Sequence, residues 1–396
     1  MQPFLNLGKQ PIANKFLKTI EDRENEIFYT LSMCFDSDTG LVTQENNIEP
    51  NLMFNDTYSY RGSGSKTMRD HFLSLSNNLK TYTHPSSKIL EIGSNDGVFL
   101  TNFSNDIAFG VEPCGNFAKE CNNLGYKTYP VFWNKETANK IVNEQGKFGI
   151  IFSANCMCHI PDLKDAFGAV YNSLDDKGVF IFEDPSLAQM INNNSYDQLY
   201  DEHLHIFSVT SLRNILNSVG LEIIGVEPLT VHGGSNRIFC AKKEEVEKNK
   251  VYINNVEKSI EFEKILGLDE YQTFVNWARK IEFSRNELLR ILENLKDANK
   301  KVICYGAASK TTTVFNYCNI GTRLVDHIVD ITPEKQDTLS PGKHIPVVKY
   351  EEGWADGIDY AFLGAWNFEK EIREKEVDFV NSGGKFITHV PTVRFV

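Results

Sequence analysis

Lys88-Ile-Leu-Glu-Ile-Gly93-Ser-Asn-Asp-Gly97-Val-Phe-Leu100 decides how the chain is read. Ile89, Leu90 and Ile92, with Glu91 set among them, run into a short turn bounded by glycines. Val98, Phe99 and Leu100 then open an apolar helix face. The pattern is a buried strand, a sharp turn and a helix. Glycine at 93 and 97 lets the backbone turn tightly and approach a ligand with no side chain in between. About 20 residues after the first glycine, Ala108-Phe-Gly-Val-Glu112-Pro113 ends a second apolar run in an acid, where a doubly wound sheet receives a ribose diol. The spacing is not G-x-G-x-x-G, and there is no G-x-x-x-x-G-K-[ST], which weakens dinucleotide and P-loop readings.

E-x-G-x-x-x-G with an acid inside the turn resembles motif I of class I S-adenosylmethionine (SAM) methyltransferases. Around it, residues 88 to about 240 alternate apolar runs with helical patterns, the signature of a parallel sheet covered on both faces. Strands are expected at 88–92, 107–111, 148–153, 178–183, 221–226 and 237–242. Lys147-Phe-Gly-Ile-Ile-Phe-Ser153 reads as a central strand, and Asn155 and His159 follow its carboxyl end, where ligands of open α/β sheets bind.

The densest polar cluster is Tyr196-Asp-Gln-Leu-Tyr200-Asp201-Glu202-His203-Leu204-His205-Ile-Phe-Ser208. Its histidines lack the H-E-x-x-H spacing of a zinc hydrolase. A histidine beside a carboxylate is, however, the usual preparation of a general base. Val231-His232-Gly233-Gly-Ser235-Asn-Arg237 offers glycines for close approach and an arginine suited to phosphate or carboxylate. A second strand, glycine turn and helix start at Lys301-Val-Ile-Cys-Tyr-Gly306-Ala-Ala-Ser309-Lys310, where a helix N-terminus can hold an anion.

Taken over almost all 396 residues, the segments LGKQPIANKFL, YSYRGSGSKTMRDHF, LEIGSNDGVFL, NCMCHIPD, YDEHLHIFS, VHGGSNRI, CYGAASK, PGKHIP and AWNFEKEI fall in the order seen in the three-part sugar C-methyltransferases of deoxysugar biosynthesis, which the chain resembles. The resemblance implies an α/β fold: a central class I methyltransferase (Rossmann-like) domain, a Rossmann-like C-terminal domain and a small α+β N-terminal module. The expected boundaries are 1–75 for the module, 76–242 for the SAM domain, 243–299 for bridging helices and 300–396 for a nucleotide-sugar domain. It also implies methyl transfer from SAM, leaving S-adenosylhomocysteine, to a carbon beside a ketone on a nucleoside-diphosphate sugar. His203 would be the base with Glu202 orienting it, and Tyr200, His159 and Tyr60 would bond the enolate or sugar hydroxyls. Glu91, Gly93, Ser94, Asp96, Gly97, Glu112, Pro113 and Asn155 would cradle SAM. Tyr58, Ser63, His232, Gly233, Ser235, Arg237, Gly306, Ser309 and Lys310 would meet the substrate. The alternative within this fold is O- or N-methylation of a nucleotide sugar.

Two departures from the family pattern matter. Its N-terminal zinc cluster uses two C-x-x-C pairs, whereas here Cys34 is followed by Asp36 and Thr39, so no metal is expected and residues 1–75 must fold by packing. The usual tyrosine-histidine-glutamate-histidine run has Asp201 in its second position. The remaining numbers set bounds. A net charge of -12 with no basic block argues against a nucleic-acid partner. No apolar run of membrane length and no signal-peptide core is present, so a cytoplasmic protein, a monomer or weak homodimer, is expected. Eight scattered cysteines read as reduced core thiols.

Overall fold

The computed structural model describes residues 1–82, 87–248, 255–354 and 357–396. Three sheets organise it. The first joins β1 (Gln2–Pro11), β2 (Phe28–Asp36) and β3 (Leu41–Gln44), all antiparallel, and takes a fourth strand, His205–Ile206, from the middle of the chain. The opening of the segment LGKQPIANKFL belongs to β1 as far as Pro11. Irregular pairing between Pro3 and Leu5 and between Asn6 and Lys9 hides its alternation, yet Leu5 and Leu7 still point inward. The β2–β3 turn is closed by the Thr39 hydroxyl donating to Asp36 at 2.7 Å.

The second sheet contains the motif read first. Its strands are β4 (Ile89–Ile92), β5 (Ala108–Val111), β6 (Lys127–Tyr129), β7 (Phe148–Ala154), β8 (Leu174–Pro185), β10 (Leu221–Leu229) and β11 (Ser235–Lys242), with His205–Ile206 counted as β9. The order is β10-β11-β8-β7-β4-β5-β6, and β11 alone runs antiparallel to its neighbours. All six expected strands are present. The short β6 carries too few apolar residues to show in the sequence. Both faces are covered, which explains why β4 and β7 are continuous apolar runs rather than alternating ones. The helix Lys66–Tyr82 lays Met68, Phe72, Leu75 and Leu79 on one face. Helices Lys135–Gln145, Leu163–Ser173 and Val209–Ser218 cover the other.

The third sheet, β14 (Thr338–Leu339), β15 (Pro346–Lys349), β13 (Ile328–Asp330), β12 (Val302–Tyr305), β16 (Tyr360–Leu363), β17 (Lys385–Thr388) and β18 (Arg394–Phe395) in that order, is a second largely parallel unit. Its central strands are β12, β13 and β16. The expected bridging segment holds helices Val256–Leu266 and Tyr271–Asp297, and its residues 249–254 lie outside the described residues. Phe274, Trp277, Ile281, Leu288 and Leu292 recur at three and four residues along the longer helix. They share one core with Leu5, Leu31 and Phe35 of the first sheet and with Val314, Phe315 and Phe362 of the third unit. Among the described residues no helix is long and apolar enough to cross a membrane.

Arg237 was expected to face an anionic ligand, but it is a strut. Its Nε donates to Glu183 and its Nη1 to Glu227, each at 2.7 Å, and His71 completes the cluster at 2.7 Å from Glu183. Burial by itself would raise the Glu183 carboxyl, but His71 and Arg237 hold it below the usual carboxylate range. Replacing Arg237 by Met strands a buried carboxylate, and urea unfolding should show a loss of about 3–5 kcal/mol. A loss under about 1 kcal/mol would contradict the strut.

Candidate active site

The carboxyl edges of the second and third sheets face a common cavity of about 900 Å³. Its cofactor-side wall is built by the two motifs read first. Gly93 (φ +75°) and Gly97 (φ +79°) take left-handed conformations. A Cβ at Gly93 would stand 2.8 Å from the Cys156 sulfur, so only glycine fits. Glu112 accepts from the Asn95 amide at 2.7 Å and the Cys114 amide at 2.8 Å, which fixes its carboxylate at the cavity wall. Burial, then the charges of Asp96 and Glu112, pushes the Glu91 carboxyl well up; its Oε2 and the Ser94 hydroxyl are buried without partners. Pro113 and Asn155 also line this wall, Asn155 at φ +49°.

Asp96 and Gly97 do not line the cavity. Asp96 instead accepts from the Ser63 amide at 3.1 Å and the Ser63 hydroxyl at 2.6 Å, and the neighbouring Asn95 accepts from the Gly62 amide at 2.8 Å. The glycine turn therefore holds down the 58–64 loop, and Ser63 is a structural partner rather than a ligand contact. Arg61 clasps that loop to Glu120 and to Glu334 at 2.8 and 3.0 Å.

The 198–205 loop forms the opposite wall. The first sheet holds it: Gln44 donates to the carbonyls of Tyr200 at 2.7 Å and His203 at 2.9 Å, and Asp201 accepts from the Ala13 amide at 3.1 Å. Within this frame His203 Nδ1 lies 2.7 Å from the Gln198 carbonyl and Nε2 2.7 Å from the Tyr200 hydroxyl. A carbonyl only accepts, so the imidazole proton sits on Nδ1. Nε2 then carries the lone pair and accepts from Tyr200. Glu202 does not orient His203. Its two oxygens accept from Asn14 Nδ2 at 2.6 Å and Tyr58 OH at 2.7 Å. Adjacent residues of an irregular loop project apart, so neighbours in sequence are not partners in space.

His159 stacks between Phe54 and His203, with ring centroids 5.4 Å from each. Its Nε2 is buried and unbonded. Tyr60 lines the mouth of the cavity and is exposed. His232 sits in the wall in a left-handed conformation (φ 53°), while Gly233 packs on Trp366 and Ser235 is buried in β11; neither of the latter two reaches the cavity. Gly306, Ser309 and Lys310 line the far end. Lys310 Nζ donates to the His232 carbonyl at 2.7 Å, and Lys335, an unremarkable lysine in sequence, donates to the Ala307 carbonyl at 2.8 Å. Both lysines are at least nine-tenths buried, and among the described residues neither has a carboxylate at ion-pair distance. Sequence reasoning missed Lys335, Asn14, Phe54 and the Gln198 carbonyl. Asn14 and Gln198 lay in segments already singled out; Lys335 and Phe54 did not.

Burial depresses the histidines: His159 and His232 fall to about 3, and His203 falls well below its usual 6.5. All three are neutral imidazoles at neutral pH. A histidine with a lowered folded pKa binds protons more readily when unfolded. Its effect on stability is therefore absent above about 6.5 and grows as a penalty as pH falls toward about 3. Histidine nitrogen NMR should show these three rings neutral and untitrated down to about pH 5. A midpoint near 6.5 for His203 would contradict its buried setting.

Residues 64–226 match the family described as a methyltransferase domain, and residues 230–391 match the C-methyltransferase C-terminal domain. C-methyltransferase NovU of Streptomyces niveus is 28% identical over 396 residues, covering 99% of this chain and 93% of that protein. A SAM-dependent methyltransferase of Thermotoga maritima, described as a possible histamine N-methyltransferase, aligns at 17% identity over 44% of this chain and 88% of its own (TM-score 0.34). Magnesium protoporphyrin IX methyltransferase of Synechocystis PCC 6803 with bound S-adenosylhomocysteine aligns at 12% identity over 46% and 90% (TM-score 0.34). The second sheet has the glycine turn and acid of a SAM site, with orphaned polar atoms and a cradle that any Cβ would fill. The chain is a SAM-dependent methyltransferase in which a match to a methyltransferase domain is followed by a match to the C-methyltransferase C-terminal domain.

Proposed function

We propose that the protein methylates a carbon next to a ketone on a nucleoside-diphosphate sugar, with His203 as the base that forms the enolate. The observation that carries this reading is the neutral His203 ring, its proton fixed on Nδ1 and its Nε2 lone pair engaged only by a phenol. When bound, SAM supplies an electrophilic methyl group on a sulfonium. Glu91, Gly93, Ser94, Glu112, Pro113 and Asn155 are the residues that would hold it.

Enolate formation needs an acceptor for the α proton and a donor for the oxygen that becomes negative. Tyr200 and His203 supply both through one exchange. The Tyr200 hydroxyl leaves Nε2 and donates to the ketone oxygen, and this uncovers Nε2 to take the proton from the α carbon. Burial, then the charge of Glu202, pushes the Tyr200 phenol well above its usual value, so it stays a donor. His159 Nε2 has hydrogen-bonding capacity to spare for the sugar or the enolate. Tyr58 and Glu202 act behind this surface, and Tyr60 closes its mouth. The general base accounts for about 10²–10⁴ in rate and the oxyanion donor for about 10²–10³.

The far end favours a diphosphate. Lys310 and Lys335 are ammonium groups taken out of water with no carboxylate at ion-pair distance among the described residues, an arrangement that a polyanionic ligand would complete. Burial lowers Lys310 to about 8, with Asp197 pulling it back up, so a bound anion would keep it charged. Gly306 and Ser309 stand at the start of the helix Ser309–Tyr317, where amide groups face the same space. His232 contributes through its carbonyl, which orients Lys310.

His203→Asn should lower kcat at least about 100-fold with SAM affinity unchanged, and Tyr200→Phe about 10²–10³-fold. Mass spectrometry of the reaction with SAM and a panel of nucleotide sugars, half of them ketones, should show one added methyl only on ketones. A methyl gained on sugars without a ketone, or wild-type turnover in His203→Asn, would overturn the enolate reading in favour of transfer to oxygen or nitrogen.

A further inference from the structure

Cys158 has no part in the chemistry above, yet it stands inside the same ring of groups. One donor atom from each of Cys158, His159 and His203 lies within 4.8 Å of the other two. They come from two separate segments, the short turn Met157–His159 after β7 and the 198–205 loop. The Cys158 side chain is fully buried, and His159 Nε2 is a buried ring nitrogen with no hydrogen bond. Asp184, at the carboxyl end of β8, lies beside the thiol. A thiol and two imidazoles make a sulfur–nitrogen donor set, which suits zinc and discriminates against magnesium or calcium.

From this cluster we propose a zinc-binding site, Cys158–His159–His203, whose occupation shuts the enzyme off. Binding exchanges the Cys158 S–H bond for a sulfur–zinc bond and releases one proton. His159 binds through its unbonded nitrogen. His203 must give up one of its two hydrogen bonds, to Tyr200 or to Gln198. Either loss removes the base, because the remaining lone pair goes to the metal. The fourth tetrahedral position is left to water. Metal binding itself does not depend on the enolate mechanism; the inhibition rests on His203 being the base.

Cobalt(II) is the spectroscopic probe, added to the purified full-length protein. The wild type should give a thiolate-to-cobalt charge-transfer band at one equivalent per chain, which zinc abolishes. Cys158→Ser should lack the band, with Cys158→Ala as the second variant should the hydroxyl disturb packing. In the methyl-transfer assay zinc should inhibit the wild type reversibly, with EDTA restoring activity. Cys158→Ser should turn over at the wild-type rate and need at least about tenfold more zinc for the same inhibition. Absence of the band in the wild type, or its persistence in both variants, overturns the site. A Cys158-dependent band without inhibition overturns the blocking role and points away from His203 as base, while leaving the metal site standing.

Discussion

A single proton, held on Nδ1 of His203 by the Gln198 carbonyl at 2.7 Å, is the constraint on which the site depends. It makes Nε2 an acceptor, and Nε2 in turn fixes the direction of the Tyr200 hydroxyl. That arrangement holds only while the 198–205 loop is rigid, and its rigidity comes from hydrogen bonds that the first sheet donates to the loop's backbone carbonyls. The Gln44 side chain caps three of its carbonyls, those of Tyr200, Asp201 and His203, the Thr43 hydroxyl bonds the Leu204 carbonyl at 3.1 Å, and β3 pairs with His205–Ile206. The leading residues thus build the active-site loop rather than a separate body. Asp201, the departure from the family pattern, serves that purpose by anchoring the Ala13 amide.

The cavity is electrostatically divided. Carboxyl groups gather at the end where we place the sulfonium cofactor, with Glu91 and Glu112 in the wall and Asp96 just behind. Two buried lysines stand at the opposite end, and neutral rings fill the space between. Such a gradient would orient a cationic and an anionic ligand before either makes a short contact. Neutral histidines in the middle would avoid repelling the proposed sulfonium, which a protonated His203 or His159 would do.

Much of this was legible in the sequence wherever local pattern and tertiary role coincide. The glycine turn, the acid at 112 and the continuous apolar strands each carry a short-range signal, and each has the expected place in the second sheet. The first strand was hidden by irregular pairing, and β6 by its length. The errors in the site share one cause. Glu202 beside His203 suggested a partnership from adjacency, and Arg237, close after two glycines, suggested a ligand contact. Irregular loops and strand alternation send such neighbours in different directions, so Glu202 meets Tyr58 and Arg237 meets Glu183. Lys335 gave no signal, because only the packing of the third unit turns an ordinary lysine into a buried charge.

The central claim is that carbon, activated by His203, receives the methyl group. Supplying SAM labelled with carbon-13 in the methyl group and reading the product by NMR tests it most directly. With a 4-keto nucleotide sugar the label should appear as a methyl on carbon, coupled to the protons or carbon at the position next to the ketone. In heavy water without SAM, that same position should exchange its proton for deuterium in the wild type and not in His203→Asn. A label found as a methoxy or N-methyl signal, or exchange unaffected by the loss of His203, would contradict the account.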